Sequence, residues 1–166
     1  MSSANLPTVR YGRSLVSESL VRRLSARIAC DHGVDRELAE RIVDQAVAFV
    51  ATCGSTGRDV APLSPSRQVD IGWHTFIWLD TRAYHEFCER VCGRYIHHID
   101  HDGGAPGQAR ADTVDAIRQA GFFVDAELWP SSASCGPCHE DGNCNASGGD
   151  GNENSDTRRK FAAALG

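Results

Sequence analysis

Between Val69 and His98, side chains able to hold a proton or a metal sit among the largest apolar groups of the chain. The run reads Val69-Asp70-Ile71-Gly72-Trp73-His74-Thr75-Phe76-Ile77, then Tyr84-His85-Glu86-Phe87-Cys88, then Gly93-Arg94-Tyr95-Ile96-His97-His98. Asp70 and His74 are four residues apart, which puts them on one face of a helix. That spacing suits a carboxylate and an imidazole on one metal ion. It equally suits a carboxylate that orients an imidazole through its ring N–H. Tyr84 and Cys88 repeat the relation on the next helix, and Cys92 continues it one turn on. If the two helices pack as a hairpin, His98 reaches the face that holds Asp70 and His74. The resulting His–His–carboxylate set, with Cys88 or Tyr84 near, suits Zn(II), or Fe(II) where positions stay open. A charge inside apolar helices must be paired or ligated, so the polar site is expected within the helical core. The bland alternative is a hydrogen-bonded core network in which Cys88 and Cys92 are only small buried apolar residues. His85 and His101 read as surface residues.

A second group lies near the C-terminus. Cys135-Gly136-Pro137-Cys138-His139, with Cys144 beyond, forms Cys-x-x-Cys followed by a third thiol. A Cys-x-x-Cys turn brings two thiolates onto one zinc ion. Cys144 and His139 would complete the set, although the unit is tight and lacks a second paired half. The same residues match the thioredoxin-type redox pair and the c-type haem attachment pattern. Against the first, no βαβ pattern surrounds them. Against the second, no export signal is seen. Zinc or another soft metal is the reading carried forward, beside a flexible tail with reactive thiols.

The chain has 166 residues, a formal net charge of -5 and seven cysteines. The length suits one domain with a real core. No basic stripe is present, so the electrostatic footprint of a nucleic-acid binder is missing. No apolar run has the length of a membrane span, and Met1 to Arg13 holds no secretory core. A cytoplasmic location is the default expectation. An odd cysteine count without an export signal argues against a disulfide framework. The implied partner is a small molecule or a protein, not nucleic acid and not a membrane.

The elements that must position these groups read as all-α: a compact bundle of about five helices with a disordered Cys/Gly/Ser/Asn-rich tail. Residues 1–13 read as a flexible leader, 14–130 as the helical domain and 131–166 as the tail. Leu15, Leu20, Val21, Leu24 and Ile28 have helical spacing up to about Cys30, with Gly33 as the stop. Asp35 caps a second helix to about Thr52, and the two form an antiparallel hairpin. Residues 53–66 read as a loop. Ser66 caps a third helix, 67–79, apolar on nearly every side and therefore central and buried. Asp80 or Thr81 caps a fourth, about 82–92. Residues 100–111 read as a loop, and Asp112 to Asp115 open a fifth helix that Gly121 ends. Phe122, Phe123, Val124, Leu128 and Trp129 form a last packed segment. Pro130 to Asp156 holds too little apolar surface to fold alone.

The stretch Val69-Asp70-Ile71-Gly72-Trp73-His74-Thr75-Phe76-Ile77-Trp78-Leu79, with Tyr84 and Gly93 to His98, resembles the glycine-rich domain-containing protein-like family over roughly residues 14–130. The resemblance implies a helical domain more firmly than an activity. It carries Asp70, Trp73, His74, Tyr84 and His98 as signature residues. Some members have a second histidine two places after the first, where this chain has Phe76. That departure weakens a metal site built on alternating histidines.

Three functional classes follow. One is a small metal-binding protein, as a zinc- or iron-dependent enzyme with Asp70, His74 and His98 on the ion and Tyr84 or Cys88 beside it. Another is a non-catalytic adaptor whose polar cluster is structural and whose tail binds metal or a partner. A third is a hydrolase with Cys88 as nucleophile, which needs His74 or His98 next to the thiol. No phosphate loop, serine elbow or zinc-protease helix motif is present.

Overall fold

The computed structural model describes residues 9–57, 62–98 and 107–130. Five helices follow in order: α1 (Glu18–His32), α2 (Arg36–Ser55), α3 (Arg67–Leu79), α4 (Thr81–Phe87) and α5 (Gly107–Gln119). A short 3-10 turn at Gly12–Leu15 precedes them, a π turn at Cys88–Cys92 follows α4, and a second 3-10 turn spans Ala126–Leu128. Among the described residues there is no β-strand, only an isolated bridge between Arg10 and Phe122. No described helix is long and apolar enough to cross a membrane.

The caps of α2, α3 and α4 are those the sequence predicts, and Ser17 adds one for α1 that it did not. Ser17, Asp35, Ser66 and Asp80 each accept a hydrogen bond from a backbone N–H in the first turn of the helix that follows. Each side chain thereby satisfies a donor that a helix start leaves without a partner. Gly33 and Gly121 close α1 and α5 with positive φ.

The central helix is α2, not α3. Ala39, Ile42, Val43, Ala46, Val47, Ala48, Phe49 and Val50 are all buried. Helices α1, α3 and α5, the first 3-10 turn and the π turn all pack on it. Small side chains let α2 be approached from every side. Helix α3 keeps one open flank, where Trp78 is 52% exposed under the guanidinium of Arg27, 4.8 Å from its ring centre. Apolar residues all round α3 therefore reflect an aromatic surface contact as well as a core face.

Two boundaries differ from expectation. Helix α2 continues through Gly54, because the Cys92 side chain packs on that Cα; a Cβ there would lie 2.5 Å from Cys92 Cβ. Helix α5 starts at Gly107, not Asp112. Thr113 is a buried tertiary contact inside it, its hydroxyl accepting from Ser64 N–H at 2.9 Å. Phe123 in the last segment is 40% exposed and rests on Tyr11.

Buried polar groups on α2 fasten the two ends of the domain. Asp44 Oδ1 accepts from Arg13 N–H at 3.0 Å, so part of the stretch read as a leader packs against α2. Gln45 donates to the Phe123 carbonyl at 3.0 Å and accepts from Asp125 N–H at 3.1 Å and Trp129 Nε1 at 2.8 Å. Arg41 adds a two-pronged ion pair to Asp125, at 2.6 and 3.0 Å, and a short contact to Glu127.

Helix α3 meets α2 at Gly72, where a Cβ would lie 2.8 Å from Ala46 Cβ and 3.0 Å from the Ile42 carbonyl oxygen. Gly72→Ala is expected to lower stability by about 1–3 kcal/mol despite alanine's better helix propensity, because the backbone of α2 cannot yield. A urea-denaturation midpoint measures it. The Arg41 ion pair holds the Asp125 carboxyl below its usual range. Its contribution is therefore complete above the unfolded value near about pH 4 and is lost as pH falls through the lower folded value. Asp125→Asn should cost about 1–2 kcal/mol at pH 7 and flatten the acid limb of the stability curve.

Candidate metal centre

Helix α3 carries two side chains of the centre and the segment after the π turn carries the third. Ser66 caps α3 and donates its own hydroxyl hydrogen to the Leu128 carbonyl at 2.5 Å, which anchors the first turn. Val69, Trp73 and Phe76 face the core. Asp70 and His74 lie one position round, on the flank. A carboxylate in a first helical turn also suits the positive end of the helix dipole.

Gly93 reverses the chain after the π turn with φ 65°, a left-handed conformation that favours glycine. Residues 94–98 then run back beside α3. Tyr84, fully buried, holds them there. Its hydroxyl accepts from Trp73 Nε1 at 2.9 Å and donates to the Ile96 carbonyl at 2.6 Å. His98, two residues on, lands against Trp73 with ring centres 4.4 Å apart.

His98 Nε2 sits 2.7 Å from Asp70 Oδ1, across 28 residues of sequence. His74 Nδ1 sits 3.5 Å from Asp70 Oδ2, and the two imidazole rings face each other at 4.0 Å. The three ligand atoms lie within 4.8 Å of one another and could hold a metal ion. Among the described residues no other group of three or more acids, imidazoles or thiols converges in this way.

The trio expected inside the core is at its rim. The side chain of His98 is 14% exposed, that of Asp70 30% and that of His74 51%. The reason is helical geometry: the core takes residues 69, 73 and 76, and positions 70 and 74 fall beside that stripe. The rim position leaves the outer side of the cluster open to water or a small ligand.

Tyr84 and Cys88 are not in the cluster. The Tyr84 hydroxyl is used by Trp73 and Ile96, so Tyr84 positions the segment bearing His98 and does not reach the carboxylate. Burial pushes its phenol well above the usual range. Cys88 is buried beside Cys92, Ile96 and Tyr84, and neither His74 nor His98 is among its partners. The imidazole that acts on the Cys88 thiol is that of His85, on α4, and Cys88 does not converge with Asp70, His74 and His98. Cys135, Cys138, Cys144 and His139 lie outside the described residues. Sequence reasoning read Trp73 as core and as a signature residue of the resemblance, but not as the support of the site that its hydrogen bond to Tyr84 makes it. Its indole N–H is the available signal, since a buried Trp N–H needs an acceptor.

A family model described as UCP032817-like matches residues 13–120, which includes every residue of the cluster. The chain belongs to the UCP032817-like family. The match spans all five helices, and it gives no support to the glycine-rich domain-containing name under which the resemblance was expected. No curated protein and no solved structure matches the chain.

Tyr84→Phe removes one hydroxyl and leaves the Trp73 N–H and the Ile96 carbonyl unmet in the interior. A loss of about 1–3 kcal/mol is expected. Faster amide hydrogen exchange across residues 94–98 than across α2 would report the loosening of the His98 segment.

Proposed function

We propose that this protein binds one divalent metal ion, Fe(II) or Zn(II), through Asp70, His74 and His98, and uses the open side of that ion for chemistry on a small molecule. The observation that carries the reading is the convergence of three ligand atoms within 4.8 Å from two segments far apart in sequence. Two imidazoles and one carboxylate suit both ions. Three protein ligands leave at least one position free, as catalytic sites do and closed structural zinc sites do not. The half-exposed His74 stands on the side from which a substrate would come. Trp73 and Tyr84 act as supports that hold His98 in place, a role that ligand-orienting neighbours commonly fill. On this reading His74 is a ligand, while Tyr84 and Cys88 take no part in the reaction.

A second reading rests on one specific contact. The 2.7 Å pairing of His98 with Asp70 is satisfied without an ion, and it ties residues 94–98 to α3. A non-catalytic adaptor with a structural polar cluster uses the same pair. In that case the thiols of the tail, Cys135, Cys138 and Cys144 with His139, would be the metal- or partner-binding element.

The two readings separate on His74, which is exposed and only loosely bonded. A full-length variant with Cys135, Cys138 and Cys144 changed to Ser is stripped of metal and titrated with Fe(II) or Zn(II). One ion per chain is expected. His74→Ala in that background should weaken binding by more than about 100-fold, beyond the loss of an outer-shell group. Its urea midpoint should stay within about 0.5 kcal/mol of the parent. Undiminished metal binding in a folded His74→Ala variant overturns the proposal. Loss of all metal on changing the tail thiols, with the fold intact, favours the adaptor.

A further inference from the structure

A groove between the first 3-10 turn, α1 and the start of α2 shares no residue with the Asp70 cluster. Its volume is about 580 Å³, within the range of small-molecule sites. Val21, the most buried residue of its lining, and half-buried Val16 give it an apolar base. Three guanidiniums, those of Arg13, Arg22 and Arg36, also line it. They are contributed by three separate elements, the 3-10 turn, α1 and α2. Only the tertiary structure brings them to one concave surface.

The arginines are steadied and still keep donors to spare. Arg22 Nη1 donates to Glu18 at 2.8 Å and Arg36 Nε donates to Glu40 at 3.0 Å. Each pair joins residues four apart on an exposed helix face, and such pairs contribute little. Each occupies one nitrogen of the fork and leaves the other two open. Arg13 differs. Its backbone N–H donates to Asp44 at 3.0 Å, which fixes the turn to α2, while its guanidinium lies 5.2 Å from the Tyr11 ring centre. Tyr11 in turn rests on Phe123, with ring centres 5.2 Å apart. Among the described residues the Arg13 guanidinium has no carboxylate in an ion pair. Three guanidiniums face two carboxylates in the lining, so one positive charge is left to be met.

The ligand chemistry follows. A guanidinium fork matches phosphate oxygens through parallel charged hydrogen bonds. A phosphate monoester carries close to two negative charges and three strong acceptor oxygens. It can meet the free charge of Arg13 and take up the open donors of Arg22 and Arg36, while an apolar base suits its organic part. We propose that this groove binds a small phosphate monoester, with the phosphate on Arg13, Arg22 and Arg36 and the organic group against Val16 and Val21. Binding is reversible and breaks no covalent bond. The site needs no metal ion and does not depend on the Asp70 cluster.

The test titrates the isotope-labelled full chain with phenyl phosphate, and with phenol as the neutral control, and follows backbone amide chemical shifts. One saturable site is expected, with shifts confined to residues 10–22 and 36–40 and no matching shifts from phenol at the same concentration. Arg13→Ala, Arg22→Ala and Arg36→Ala should each weaken binding by more than about 10-fold, the effect of losing a charged hydrogen bond. Arg118→Ala, which removes an exposed arginine of α5, should leave binding unchanged. Glu18→Gln and Glu40→Gln keep every arginine and remove a rival for the fork, so each should tighten binding by about 2–5-fold. Shifts centred on residues 70–98 would put the phosphate at the Asp70 cluster and overturn the proposal. Shifts that never saturate, an equal response to phenol, or groove arginine variants that bind as tightly as Arg118→Ala overturn it too.

Discussion

Tyr84 stands in a dry part of the molecule with one hydroxyl and two demands upon it. Trp73 Nε1 needs an acceptor, and the Ile96 carbonyl needs a donor. Both are met by the same oxygen, at 2.9 and 2.6 Å. A buried polar group left without a partner costs more than a typical hydrogen bond contributes, so this arrangement has few substitutes. Helix α3, helix α4 and the segment after Gly93 are thereby held in one register. Where His98 meets Asp70 depends on that register.

The remainder of the fold gives this junction a rigid floor. Helix α2 is lined with alanine and valine, which lets five other elements approach its axis. Where polar groups interrupt it, they work as fasteners. Asp44 takes the backbone of Arg13, and Gln45 takes three groups from the segment 123–129. Each of these side chains satisfies backbone donors or acceptors that have left regular structure. The ends of the domain are held to the centre by side chains and not by a sheet.

Two polar clusters then partition by their chemistry. A carboxylate and two imidazoles are strongly hydrated, and they are placed at the rim of α3, where water still reaches. Two thiols tolerate burial far better and are placed inside the π turn, against α2. Tyr84 lies between the clusters: one side of its ring environment leads through Trp73 to His98, the other through Ile96 to Cys88. Any ligand of the Asp70 cluster would therefore bear on the short segment 93–98, which carries His98.

Much of this was legible from residue order alone. The caps Asp35, Ser66 and Asp80, the stops Gly33 and Gly121 and the helical class depend on contacts within a few residues, and the sequence by itself determined them. The pairing of Asp70 with His74 is local too, since four residues make just over one helical turn. The site as a whole was not local. The approach of His98, the separation of Cys88 from the histidines, the extension of α2 through Gly54 and the choice of α2 over α3 as the central helix were decided only by tertiary packing. The physical reason is that each depends on which group fills a space, or meets a buried donor, contributed by a distant part of the chain, and neither periodicity nor propensity records that.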